Sequence, residues 1–160
     1  MTEKDANLFI VIYAIHVLAA AALFGAMFYS LTIVQPNAKK HFKNAQDFEE
    51  FMGSIGDGAR WKVLSGLGLI AVTGLILIPF HQSATNHLNH VWMALIAGKI
   101  IILAVVGALF CYVSWRLWPR RIFAIPEEFP KYQRTFRLLG FVMLTLVGME
   151  FVLAIIAHEI

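Results

Sequence analysis

At 160 residues, 59% of them hydrophobic and only 14% charged, the chain has the length of one domain but is too apolar for an ordinary water-soluble one. Its formal net charge of +3 is small, and the basic residues flank apolar stretches instead of forming a patch, which excludes a nucleic-acid-binding surface. One cysteine, Cys111, excludes a disulfide framework; inside an apolar run it reads as a buried, inert thiol.

The N-terminus opens Met1-Thr-Glu-Lys-Asp5 and enters an apolar run with no small-residue cleavage site, so the run reads as a retained helix and not a signal peptide. Apolar stretches lie at about 8–34, 61–80, 91–118 and 136–157. Each is long enough to cross a bilayer, for which about 20 apolar residues suffice. The expected fold is therefore all-α: a four-helix transmembrane bundle forming a single integral membrane domain over 1–160. Prolines mark the expected ends of the first three spans, at Gln35-Pro36, Pro79 and Pro119. No internal repeat and no low-complexity segment is visible.

The connections differ in charge. The first, from Asn37 to Arg60, holds Lys39, Lys40, Lys43 and Arg60, with Lys62 just beyond. Within it Asn44 is placed to cap a short helix carrying Phe48, Phe51, Met52 and Ile55 opposite Asp47, Glu49 and Glu50, a pattern that predicts an interfacial helix lying along the membrane surface. The second, His81 to His90, has three histidines and no lysine or arginine. The third, Arg116 to Arg137, holds Arg116, Arg120, Arg121, Lys131, Arg134 and Arg137, with Pro126 and Pro130 expected to break any helix. This asymmetry places the first and third connections in the cytoplasm and both termini outside, in the inner (plasma) membrane of the cell. The aromatic residues near span ends, Tyr13, Trp61, Trp92, Trp115 and Trp118, read as interface anchors.

That topology gives each intramembrane polar residue a depth. His16 lies about nine residues into span one, roughly 13 Å from its outer end. Lys99 lies about as far into span three, and Thr73 and Glu150 each lie about seven residues before the outer ends of spans two and four. All four spans thus bring a polar side chain to one level. A lysine at a helix centre costs on the order of 2.5–3.5 kcal/mol on insertion scales, and ionisable residues in spans usually face the bundle interior and serve function. Plainer readings stand beside this: His16 as a neutral core histidine, Lys99 and Glu150 as an ion pair in register, Thr73 bonded to its own helix. Small residues (Ala19, Ala20, Ala22, Gly25 and Ala26; Gly66, Gly68 and Gly74; Gly140 and Gly148) permit close helix approach or leave room for a flat ligand. His81, His87, His90 and His158 near the outer surface form a possible metal site, since imidazole suits copper, zinc and iron.

Ile15-His16-Val17, Gly25-Ala26-Met27-Phe28-Tyr29, Thr73-Gly74-Leu75, and Trp92 with Gly98-Lys99-Ile100-Ile101-Ile102-Leu103 resemble the CopD/HemJ superfamily of four-helix membrane proteins over most of the chain. The HemJ branch shares the early histidine of span one and the early lysine of span three. It follows span one with a Leu-Pro-Arg motif and a Tyr-His pair, where this chain reads Ser30-Leu31-Thr32-Ile33-Val34-Gln35-Pro36. The resemblance implies a haem b cofactor and a redox role, electron transfer or porphyrinogen oxidation by a haem-dependent oxidoreductase. On it, His16 is an axial ligand to the haem iron. Lys99 is the second ligand or the partner of a haem propionate, Thr73 stands at the cofactor, and Lys99 and Glu150 are the candidate catalytic pair. The implied partners, besides the lipid bilayer, are a quinone, a porphyrin or a protein redox partner, with the chain as a homodimer or a subunit of a larger complex. Two other readings remain: a CopD-type copper transporter using the outer histidines with Met93, Met143 and Met149, and a small structural subunit of a respiratory complex.

Overall fold

The structure, a computed structural model, describes the backbone of residues 3–56, 58–85 and 90–159 and the side chains of 3–56, 58–80 and 90–157. The described residues are helical throughout, without a strand. Four helices are long and apolar enough to cross a membrane: Glu3–His41, Ala59–Phe80, His90–Ile122 and Pro126–Ala157. Helix α1 (Glu3–Tyr29) packs on α4 (Ala59–Thr85), and α5 (His90–Tyr112) packs on α7 (Phe129–Glu159). Contacts of α1 with α7 and of α4 with α5 close the ring. Successive spans are antiparallel neighbours, as short connections require.

The prolines do not end the spans. Span one runs on through five π-helical residues, Ser30–Val34, into α2 (Gln35–His41), with Pro36 in the first turn of α2. Span three does the same through Val113–Leu117 into α6 (Trp118–Ile122), with Pro119 in its first turn. The wide turn shifts the ladder by one residue: Gln35 N–H bonds to Ser30 O and Trp118 N–H to Val113 O. A proline lacks an N–H and its ring crowds the preceding turn, and a π-bulge takes up that misfit inside a helix. Pro79 is likewise carried inside α4, which continues to Thr85. Pro126 opens the 3₁₀ turn Pro126–Glu128, and Pro130 sits second in α7, where a missing N–H leaves nothing unpaired.

Packing forms layers along the bundle. Leu67, Val106 and Val147 are buried at the centre among Leu23, Phe24, Ile102, Leu103 and Leu146. Glycines of spans two and four receive span one: a Cβ at Gly140 would stand 2.7 Å from Leu31 Cδ2, and Gly66 and Gly148 face Leu23 and Phe24. The outer faces are apolar and exposed, as lipid contact demands. Cys111 is on such a face and not buried; α5 is apolar all round, so its sequence does not mark which side looks outward. Trp92 is buried, unlike Trp61, which is 71% exposed.

At the end holding connections one and three, α3 (Ala45–Gly56) begins as expected: Asn44 Oδ1 accepts from Gln46 N–H at 3.1 Å. Phe48 and Met52 bury against Ala38 with Phe42 and Phe51 alongside, while Ile55 stays exposed. Glu49 does not face solvent with Asp47 and Glu50. It turns inward, accepting from Arg121 Nε at 2.5 Å and from Gln133 Nε2 at 2.8 Å. Arg121 is 8% exposed, and its guanidinium lies 4.9 Å from the Phe136 ring. Trp118 fits against Gly56, where a Cβ would come within 2.7 Å of the indole.

A buried pair broken on one side leaves a charge without compensation. Glu49→Ala and Arg121→Ala are each expected to destabilise the fold by about 3 kcal/mol, and the Glu49→Ala/Arg121→Ala double substitution by much less than the sum. Reversible unfolding in detergent measures this; additive losses would show that the two side chains are not coupled.

Candidate functional site

On the side of the central apolar layer that holds the termini, one polar side chain from each span reaches a common zone: His16 from α1, Thr73 from α4, Lys99 from α5 and, directly bordering the layer, Glu150 from α7. His16 Nδ1 and Thr73 Oγ1 are 2.8 Å apart. The Thr73 hydroxyl lies 2.6 Å from Leu69 O and 3.3 Å from Ile70 O, carbonyls of its own helix. A hydroxyl has one proton to give. With that proton on Leu69 O, the closer acceptor, Thr73 Oγ1 accepts from His16, and the neutral imidazole is assigned the Nδ1–H tautomer. Nε2 is then left with its lone pair. Thr73 therefore does both things the sequence allowed: it bonds its own helix and it orients the histidine.

The neighbour of Thr73 completes the seat. A Cβ at Gly74 would stand 3.1 Å from His16 Cε1 and 3.7 Å from Nδ1, so the ring lies close on the backbone of span two. In the sequence Gly74 stands both among the small residues and in the Thr73-Gly74-Leu75 motif, but neither showed that it would lie against the His16 ring.

Lys99 stands close enough to interact electrostatically with both His16 and Glu150. It does not close an ion pair with Glu150: among the described residues the ion pair present is Arg121–Glu49. Glu150 Oε1 is buried and has no hydrogen-bond partner. Lys99 and Glu150 therefore share a field without forming the closed bridge that a purely structural pin would be. Buried carboxylate oxygens are nearly always bonded, so Oε1 is the unpartnered polar atom of this zone.

Of the outer histidines only His90 has a described side chain. His90 is exposed, and the side chains of His81, His87 and His158 lie outside the described residues. Among the described residues no group of three His, Cys, Asp or Glu is arranged to hold a metal ion. Met143 is buried, whereas Met93 and Met149 are exposed on the surface of the bundle.

Spans one and three are also matched in register. Ser30 follows His16 by fourteen residues, and Val113 follows Lys99 by fourteen. Lys99 thus holds in span three the position that His16 holds in span one, each measured from its own π segment and proline. No known protein family, curated protein or solved structure matches the chain.

If Lys99 and Glu150 share one field, Lys99→Ala and Glu150→Ala each destabilise the fold, because each leaves the opposite charge alone in the bundle. The double substitution should then be better tolerated than the sum of the singles, as read from detergent unfolding midpoints. Strict additivity would show that the two groups act separately.

Proposed function

We propose that the chain is a haem b-binding membrane protein with a redox role, resembling the CopD/HemJ superfamily, in which His16 is an axial ligand through Nε2. The observation that carries this reading is the hydrogen bond from His16 Nδ1 to Thr73 Oγ1. Histidines that ligate metals donate their other ring N–H to a fixed acceptor, which sets the tautomer and aims the free nitrogen. Thr73 supplies that acceptor here, and its own proton is held by Leu69 O. The donor set around His16 fits the group: an imidazole lone pair, a nearby amine and a buried carboxylate oxygen without a partner.

Haem bound there would supply one-electron transfer between two iron states. The chain's residues do the rest. Thr73 holds the imidazole in one rotamer, and Gly74 lets it lie against span two. Lys99 offers a second donor when neutral or a cation for a propionate when charged. Its register match with His16 favours a role facing the same ligand. Glu150 balances Lys99 or accepts a proton at Oε1. The apolar side chains of the central layer exclude water on one side. The electron partner belongs to the class of quinones, porphyrins or protein redox subunits.

In this reading the termini and the second connection face outside, the first and third connections face the cytoplasm of the inner membrane, and α3 lies along the membrane surface. The lysine and arginine asymmetry supports this orientation.

Protein purified in mild detergent should show a Soret band. His16→Ala should remove the haem or shift its spectrum from low spin toward high spin. Equal haem per folded protein in wild type and His16→Ala would refute the ligand role, and a wild type without haem would remove the proposal. Topology is tested separately. In a Cys111→Ser background, cysteines placed singly at Asn37 and Asn86 should react with a membrane-impermeant maleimide from opposite sides of the membrane. Reaction from one side only would overturn the orientation.

A further inference from the structure

The end of the bundle far from His16 has an open cleft of about 980 Å³ between α3, the start of span two, the end of span three and the start of α7. Its charged wall residues are Glu49, Glu50, Arg60 and Arg121. Two of these neutralise each other, because Arg121 and Glu49 form the buried ion pair. Arg60 and Glu50 are left, and among the described residues neither has an ion-pair partner. Arg60 uses Nη2 to donate to Ser114 O at 2.8 Å and lies 5.1 Å from the Trp115 ring. A guanidinium carries five N–H donors, so one bond leaves most of its capacity unused.

A complementary ligand must bring one negative and one positive group, and an apolar part for Trp61 and Trp118, which line the same cleft. The level along the bundle narrows the class. Trp61 is 71% exposed at the first turn of an apolar span, where tryptophans mark the boundary of the hydrocarbon. A molecule presenting a phosphate and an ammonium at that boundary is a zwitterionic phospholipid. An anionic phospholipid would bring no cation for Glu50. A choline headgroup has no N–H to donate to a carboxylate, whereas a primary ammonium has three.

We propose that this cleft is a binding site for the headgroup of a phosphatidylethanolamine-type lipid, with the phosphate on Arg60 and the ammonium on Glu50. Clefts at the ends of membrane helices that carry unspent basic side chains are established headgroup sites in general, and the unpaired carboxylate selects the zwitterion here.

The test is a titration of delipidated protein in detergent with short-chain phosphatidylethanolamine, phosphatidylcholine and phosphatidylglycerol, read by the tryptophan fluorescence of the whole chain, which includes the cleft's Trp61 and Trp118. Saturable binding of the ethanolamine lipid is expected, about tenfold tighter than the choline lipid, the size of one charge-assisted hydrogen bond. Glu50→Gln should abolish that preference and leave phosphatidylglycerol binding no weaker. Arg60→Gln should weaken all three lipids. Because Arg60 also bonds Ser114 O, the exposed Glu50 variant carries the test if Arg60→Gln fails to fold. Equal affinity for ethanolamine and choline lipids in wild type, or an unchanged preference in Glu50→Gln, would overturn the proposal. So would soluble phosphoethanolamine competing at the lipid's own concentration, since the ligand would then be a free metabolite.

Discussion

A proline inside a helix leaves a carbonyl of the preceding turn without its backbone donor, and at the end of span three that carbonyl is Ser114 O. In a regular helix Ser114 O would accept from residue 118, but Trp118 N–H bonds to Val113 O across the π turn. The next residue, Pro119, has no N–H. Arg60 reaches over from the start of span two and donates to that oxygen at 2.8 Å. One bond thus satisfies a part-buried backbone oxygen that the helix itself leaves unpaired. It also ties span two to span three, which otherwise make few contacts with each other. The same end is tightened by Glu49, which joins α3 to Arg121 of α6 and Gln133 of α7, and by Trp118 seated on Gly56. The kinked ends of spans one and three are therefore joints that side chains hold closed.

The opposite half answers the same constraint differently. There no π turn interrupts the helices, and the polar groups of the bundle interior are side chains. His16 and Thr73 satisfy each other across the α1–α4 interface, and Thr73 passes its proton to its own helix. What remains unspent is an imidazole nitrogen, an amine and a carboxylate oxygen. In a low-dielectric interior such groups are costly unless a ligand or a proton uses them, which is why intramembrane ionisable residues mark function. Between the two ends the layer of Leu67, Val106 and Val147 keeps the polar zones apart.

The matched register of spans one and three relates the two ends. The number of residues from His16 and from Lys99 to the π segment that follows is the same. No sequence similarity accompanies this, because the intervening apolar residues are interchangeable toward lipid.

Length and hydropathy are local properties, so the four spans, their antiparallel order and the Asn44 cap were legible in the sequence. So was the common level of His16, Thr73, Lys99 and Glu150, since a fixed rise per residue converts position into depth. Rotation about each helix axis was not legible. A helix apolar on every side has no periodic mark of its inner face, so only contact with neighbours decided that Cys111 looks outward, Trp92 inward, and Glu49 toward Arg121. The prolines at 36, 79, 119 and 130 read as stops by their own chemistry. The tertiary structure carried them through, because a π turn, a first-turn position or a side chain from another span can supply what a proline withholds. The unclosed gap between Lys99 and Glu150 was likewise decided by packing, since opposite charges at one depth predict attraction but not the distance at which the helices stop.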